Sequence, residues 1–162
     1  ALIHWCVVAV ATTGLYIVYR SIEARYSRAA APDGFLGLVH SAPRLAVFFA
    51  LCGFALIGLP GTLGFAAENL LFHGSLESHP LLGITLPLAT ALNAITVYRL
   101  FSKLFLGKAA DAVPAFPDAL PRERWVLTAA VAFLVFFGIA PGLLVTARTP
   151  TAEHIAALLA GR

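Results

Sequence analysis

The 162-residue sequence has no methionine, only two cysteines and a charged fraction of 12%. Each shortage excludes something. A soluble domain carries about 25% charged residues, and the eight acidic and eleven basic side chains here are too few to clothe a water-soluble globule. A soluble enzyme and a disordered tail are thereby excluded. So is a nucleic-acid-binding module, because the net charge of +3 is not gathered on a wet face. Cys6 and Cys52 both sit inside apolar runs and read as small core residues, with no Cys-x-x-Cys or Cys/His spacing that suggests a metal site. The missing methionine, together with an apolar run that starts at residue 1, leads us to expect part of a longer chain.

Apolar residues are what the sequence has in abundance: 60% of the total, against about 45–50% in a soluble domain. A helix that crosses a bilayer needs about 20 mostly apolar residues, and four segments qualify. Residues 1–19 are uncharged and end at Arg20, Glu23, Arg25 and Arg28. Residues 45–72 carry one charge, Glu68. Residues 81–105 are uncharged through Tyr98 and then carry Arg99 and Lys103. Residues 125–147 are uncharged and flanked by Arg122, Glu123 and Arg124 before and Arg148 after. The first segment lacks the charged lead and small-residue cleavage site of a signal peptide, so it counts as a span. The runs are continuous rather than alternating, which calls for helices and not barrel strands. The expected fold is an all-α membrane protein, a single region of four transmembrane helices. Its connections are Arg20–Arg44, a short turn at His73–Pro80, and an extended loop Gly107–Arg124 containing Pro114, Pro117 and Pro121.

Four spans place Arg20, Arg25, Arg28, Arg44, Arg99, Lys103, Lys108, Arg122 and Arg124 on one side of the membrane, and only Arg148 and Arg162 on the other. Basic loops stay on the cytoplasmic side. Both termini are therefore expected on the outer side.

The second segment is the most informative. Residues 45–72 make about 42 Å of ideal helix, too much for a hydrocarbon core of about 30 Å unless the helix tilts or breaks. We expect a break at Leu59, Pro60 and Gly61, because Pro60 donates no backbone hydrogen bond and Gly58, Gly61 and Gly64 permit unwound backbone. Unwound backbone at membrane depth requires protein neighbours or water. Glu68 follows eight residues later. An intramembrane carboxylate costs about 2.5–3.5 kcal/mol on insertion scales and marks an ion or proton path by default. Two readings of it stay open: a proton relay, or a kinked helix whose Glu68 meets water or headgroups near the outer interface.

Other polar groups are candidates of lower rank. His4 is a possible relay near an outer face. Asn93, with Thr90 and Thr96 nearby, reads as a helix–helix hydrogen-bonding residue. Arg99 and Lys103 share one helix face and either snorkel to headgroups or line an inner path. His73, Glu77 and His79 do not make a tetrahedral metal set. There is no phosphate-binding glycine loop, nucleophile elbow or zinc motif.

At Gly58, Leu59, Pro60, Gly61 and Thr62, followed by Gly64, Phe65 and Glu68, the sequence resembles the antiporter-like membrane subunits of respiratory NADH:quinone oxidoreductase. Glu68 points to the chain M (chain 4) type, because the sister subunits carry a Lys-Asp pair or a Lys near this place. Tyr98 to Gly107, Leu120 to Arg124 with Gly138 and Pro141, and Gly14 to Arg25 look like neighbouring family segments. The resemblance covers all four spans and matches the C-terminal four helices of the family.

It implies a proton-translocating subunit with Glu68 as outer-side relay and His4 as a substitute for the family's buried His, seated in a bacterial inner membrane; Lys103 as a possible inner-path residue rests on its place on the helix face alone. The family's buried His aligns with Val8, one turn after His4, which is a departure. The resemblance also implies membrane partner subunits, among them a chain holding the missing N-terminal helices. No cofactor is expected in this chain, and FMN, iron–sulfur clusters and quinone would belong to partners. Similar subunits serve Mrp-type cation/proton antiporters and energy-coupled inorganic-carbon uptake complexes, which are the alternative functions beside a non-transporting scaffold bundle.

Overall fold

The computed structural model describes residues 2–25, 35–107 and 117–160, and among them every element is an α-helix. In chain order these are α1 (Leu2–Arg25), α2 (Pro43–Leu56), α3 (Leu63–Ser78), α4 (Pro80–Phe105), α5 (Pro121–Ile139) and α6 (Pro141–Ala160). Residue 1 and Arg28, Lys108, Pro114 and Arg162, named above, lie outside the described residues. Four of the six helices open on proline, whose fixed φ and missing N–H cost nothing in a first turn. Proline is the main punctuation of this chain.

By length and composition, α1 and α4 are each able to cross a membrane. The expected third helix, 81–105, is α4. The first continues past Tyr19 to Arg25, where Arg20 and Glu23 pair on its exposed face. Residues 45–72 are divided into α2 and α3, and α3 runs on to Ser78, so the expected turn at His73–Pro80 shrinks to His79. The expected single helix over 125–147 is corrected: α5 stops at Ile139 and α6 departs at 88°. Pro141 is the cause, since it offers no N–H to continue the ladder after Ala140 bonds Phe136.

Packing forms two apolar clusters. One gathers Val18, Ile22, Leu38, Leu45, Phe49, Phe105 and Leu127 at the loop end. The other gathers Val7, Ala11, Ala55, Leu63, Ala67 and Leu134 beside the break. A helix C-terminus leaves its last carbonyls unpaired, and here the loop segment supplies the donors. Leu36, Gly37, Leu38 and Val39 give their N–H groups to Lys103, Leu106, Leu104 and Phe105 at 2.8–3.2 Å. The Asp118 carboxylate accepts the Arg44 and Leu45 N–H groups at 3.2 and 3.3 Å, capping α2 across the loop. Arg25 at the end of α1 binds both oxygens of Glu123 in the first turn of α5, at 2.6 and 2.5 Å, with side chains 12% and 17% exposed. Backbone and ionic bonds thus tie the loop end together.

The turn between α2 and α3 follows from three residues. Gly58 has φ +68°, the left-handed conformation that closes a helix at least cost for glycine. The Leu59 N–H then reaches Phe54 O at 2.9 Å and the Gly58 N–H reaches Ala55 O at 3.4 Å, the paired bonds of a Schellman cap. Pro60 follows and bars any return to helix. Thr62 opens α3 in extended conformation, its hydroxyl donating to Leu59 O at 2.7 Å. Gly64 then lies so close to the Ala55 carbonyl that any Cβ there would overlap it.

Two outcomes follow. Gly64→Ala drives a methyl into the Ala55 carbonyl, so the protein should fail to assemble or lose α2–α3 packing, read as loss of the thermal transition in detergent. Glu123 lies in the first turn of α5, two residues ahead of the apolar run that begins at Trp125. Burial alone would raise its carboxyl, but bonds from Arg25, the Leu120 N–H and the Ser21 hydroxyl hold it below the ordinary 4.5. A depressed carboxyl contributes stability that is complete above the ordinary value and is lost as pH falls through the folded one. Thermal stability should therefore drop on acidification below that range. Glu123→Gln should remove the pH step and lower the thermal transition at neutral pH, because the part-buried Arg25 loses its charged partner.

Candidate functional site

Glu68 sits in the second turn of α3, half-buried, and faces the middle of α4. The Thr90 hydroxyl donates to Glu68 Oε1 at 3.1 Å. Thr90 stands ten residues from Pro80 and fifteen from Phe105 in a helix of 26 residues, about 39 Å long. The carboxylate is thereby held level with the middle of α4. On its other side lies Gly58, where a Cβ would collide with Glu68 Oε2. The glycine that caps α2 also makes the room that the carboxylate fills.

Two clefts, both open to the protein surface, meet at this pair. One, of about 430 Å³, is lined by Gly58, Phe65, Glu68, Asn69, Pro87 and Thr90 among others. The second, of about 210 Å³, is lined by His4, Val8, Leu56, Glu68, Thr90 and Asn93 among others. Glu68 and Thr90 belong to the walls of both. Each space is roomy enough for water, and polar groups line both.

His4 lies in the first turn of α1. It shares the smaller cavity with Glu68, and its buried Nδ1 has no hydrogen-bond partner in the protein. Asn93 donates from Nδ2 to Leu56 O at 3.2 Å, a helix-to-helix bond as its position suggested. Lys103 is exposed, thirteen residues beyond Thr90 on α4, about 20 Å along the axis. The structure brings His4, Gly58 and Glu68 together, with Pro60 and Gly61 in the adjoining turn, and leaves Lys103 at the loop end. His73 binds Asn69 O on its own helix at 2.9 Å. Among the described residues no three His, Cys, Asp or Glu side chains could share a metal ion.

Two contributors escaped the sequence analysis. Thr90 was noted only as a neighbour of Asn93, although the three-residue spacing puts both on one helix face. Pro87 lies inside α4 and lines the larger cavity. A proline in mid-run was the available signal, because it withdraws the N–H that Gly83 O would otherwise accept. Chemically, the site is a single carboxyl able to take and release a proton. It is flanked by a hydroxyl, an imidazole and an amide, with space on two sides.

Comparison with known proteins agrees with this arrangement. The profile of a family described as "NADH:quinone oxidoreductase/Mrp antiporter, TM" matches residues 1–93, more than half of the chain. The NADH-quinone oxidoreductase subunit 13 of Thermus thermophilus is 31% identical over 127 residues, 78% of this chain and 26% of the relative. Subunit M of the Rhodobacter capsulatus NADH-quinone oxidoreductase is 26% identical over 120 residues, 74% of this chain and 23% of the relative. Chain 4 of the Chondrus crispus NADH-ubiquinone oxidoreductase is 29% identical over 108 residues, 66% of this chain and 22% of the relative. The chain spans about a quarter of the length of these relatives. With an all-helical fold, two helices apolar and long enough to cross a bilayer, and a family profile over most of the broken region, this integral membrane chain belongs to the NADH:quinone oxidoreductase/Mrp antiporter transmembrane family.

Proposed function

We propose that the chain is the C-terminal portion of a proton-translocating, antiporter-like subunit in an NADH:quinone oxidoreductase-type complex, with Glu68 as its outer-side proton relay. One observation carries this: the Glu68 carboxylate, held by Thr90 level with the middle of α4, forms part of the wall of two cavities. A carboxylate placed there faces the bundle interior or a water path rather than lipid. Protonation makes it neutral, and release returns the charge.

In this reading α2 and α3 form one span broken at the Gly58–Thr62 turn. Neither half, of 14 and 16 residues, reaches across a core of about 30 Å alone. The four spans then put the basic loops on the cytoplasmic side of a bacterial inner membrane and both termini outside. His4 takes the part of the family's buried His, since it and Val8 line the same cavity. Lys103 stands at the basic end, where a proton path from the cytoplasm would begin. The remaining helices of the path belong to other membrane subunits or a preceding segment, and FMN, iron–sulfur clusters and quinone to partner subunits.

The family description also names Mrp antiporters. That favours cation/proton antiport as the second reading, with no driving redox reaction. Inverted membrane vesicles carrying the complete assembly distinguish the two. NADH should acidify their lumen, whereas an antiporter should respond only to an imposed sodium or proton gradient. Glu68→Gln, close in shape and unable to ionise, should abolish NADH-driven acidification while the assembly stays intact. Full acidification in that variant would reduce Glu68 to a structural residue. His4→Gln should slow acidification without abolishing assembly.

A further inference from the structure

We infer that Thr90 and Asn93 are positioning residues for Glu68: one turn apart on α4, they clamp the carboxylate and the opened end of α2 in a fixed relation. The inference rests on Glu68 being the proton carrier proposed above. It concerns what holds that carboxylate in place.

Asn93 supplies a bond that the sequence of the break cannot. In a continuing helix the Leu56 carbonyl would accept the N–H of residue 60, and residue 60 is proline. The cap at Gly58 uses the carbonyls of Phe54 and Ala55 and leaves that of Leu56 over. Asn93 Nδ2 meets it at 3.2 Å. An unpaired carbonyl at a helix break calls for a protein or water partner, and the amide supplies one in place of the proline's missing donor and pins α4 to the break.

Thr90 is set apart by what its hydroxyl does not do. A helical threonine usually turns its hydroxyl back to the preceding turn of its own helix. On the same helix Thr85 bonds Leu82 O at 2.9 Å and Thr96 bonds Leu92 O at 2.9 Å. Thr90, between them, instead reaches across to Glu68 Oε1. That donor occupies Oε1 and leaves Oε2, against Gly58, as the oxygen that takes the proton. Oε2 is then presented beside Gly58, which lines the larger cavity. The two bonds lie on one face of one helix, so a shift of α4 changes both together.

The test uses the complete membrane complex in vesicles, with two readouts: protons translocated per NADH oxidised, and the carbonyl stretch of protonated Glu68 by infrared difference spectroscopy. The band is identified by its loss in E68Q. Thr90→Val should move the band to higher wavenumber and lose most of the translocation, and Thr90→Ser should restore both. Asn93→Ala should also lose translocation. Thr90→Ala reads the same two quantities if the branched variant does not assemble. Normal translocation and an unmoved band in T90V or T90A, with E68Q inactive, would overturn the clamp while leaving the Glu68 relay standing. A T90S variant as defective as T90V would overturn it too, because the hydroxyl would then not be what matters. Normal translocation in E68Q would remove the relay itself, and the clamp with it.

Discussion

A backbone carbonyl left without a donor is costly wherever protein encloses it, and the residues around the α2–α3 break answer to that constraint. Pro60 cannot supply the N–H that Leu56 would take. The chain answers with a left-handed glycine at 58 that recovers two carbonyls locally, and with Asn93 of a different helix for the third. Once α4 is committed to that bond, Thr90, one turn away, lies opposite Glu68. Gly58 and Gly64 leave no side chain between the two halves. The carboxylate's position is thus a consequence of how the broken backbone is satisfied.

The two ends of the bundle obey different economies of bonding. At the loop end, backbone donors from Leu36–Val39, the Asp118 cap and the Arg25–Glu123 pair lock four helices to one another. Around the break there are fewer polar bonds, more space and a half-buried acid. The large exposed apolar residues of α4, such as Leu81, Ile84, Leu88 and Leu92, suit contact with lipid or neighbouring subunits.

Much of this was legible in the sequence because it is local. The uncharged runs announced α1 and α4, and their composition announced the membrane. Gly58, Pro60, Gly61 and Gly64 announced an interruption, since glycine and proline act on their own backbone whatever surrounds them. Glu68 stood out because a lone charge in an apolar run has few reasons to be there. The turn at Ala140 was also local and was overlooked, since Pro141 ends α5 whatever the hydropathy of residues 125–147.

What stayed hidden depends on residues far apart in the chain. Twenty-two positions separate Glu68 from Thr90, 37 separate Leu56 from Asn93, and 98 separate Arg25 from Glu123. Hydropathy fixes which segments become helices, but side-chain packing chooses their rotation and depth, and only rotation and depth decide which polar groups meet. His4 illustrates the difference: its place in the chain marked a polar group at the start of α1, and helix packing added that it shares a space with Glu68. The amino-acid order settled helices, break and acid, because those are properties of short stretches of backbone. The partners of the acid were settled by helix packing, because a hydrogen bond between helices exists only after both have been placed.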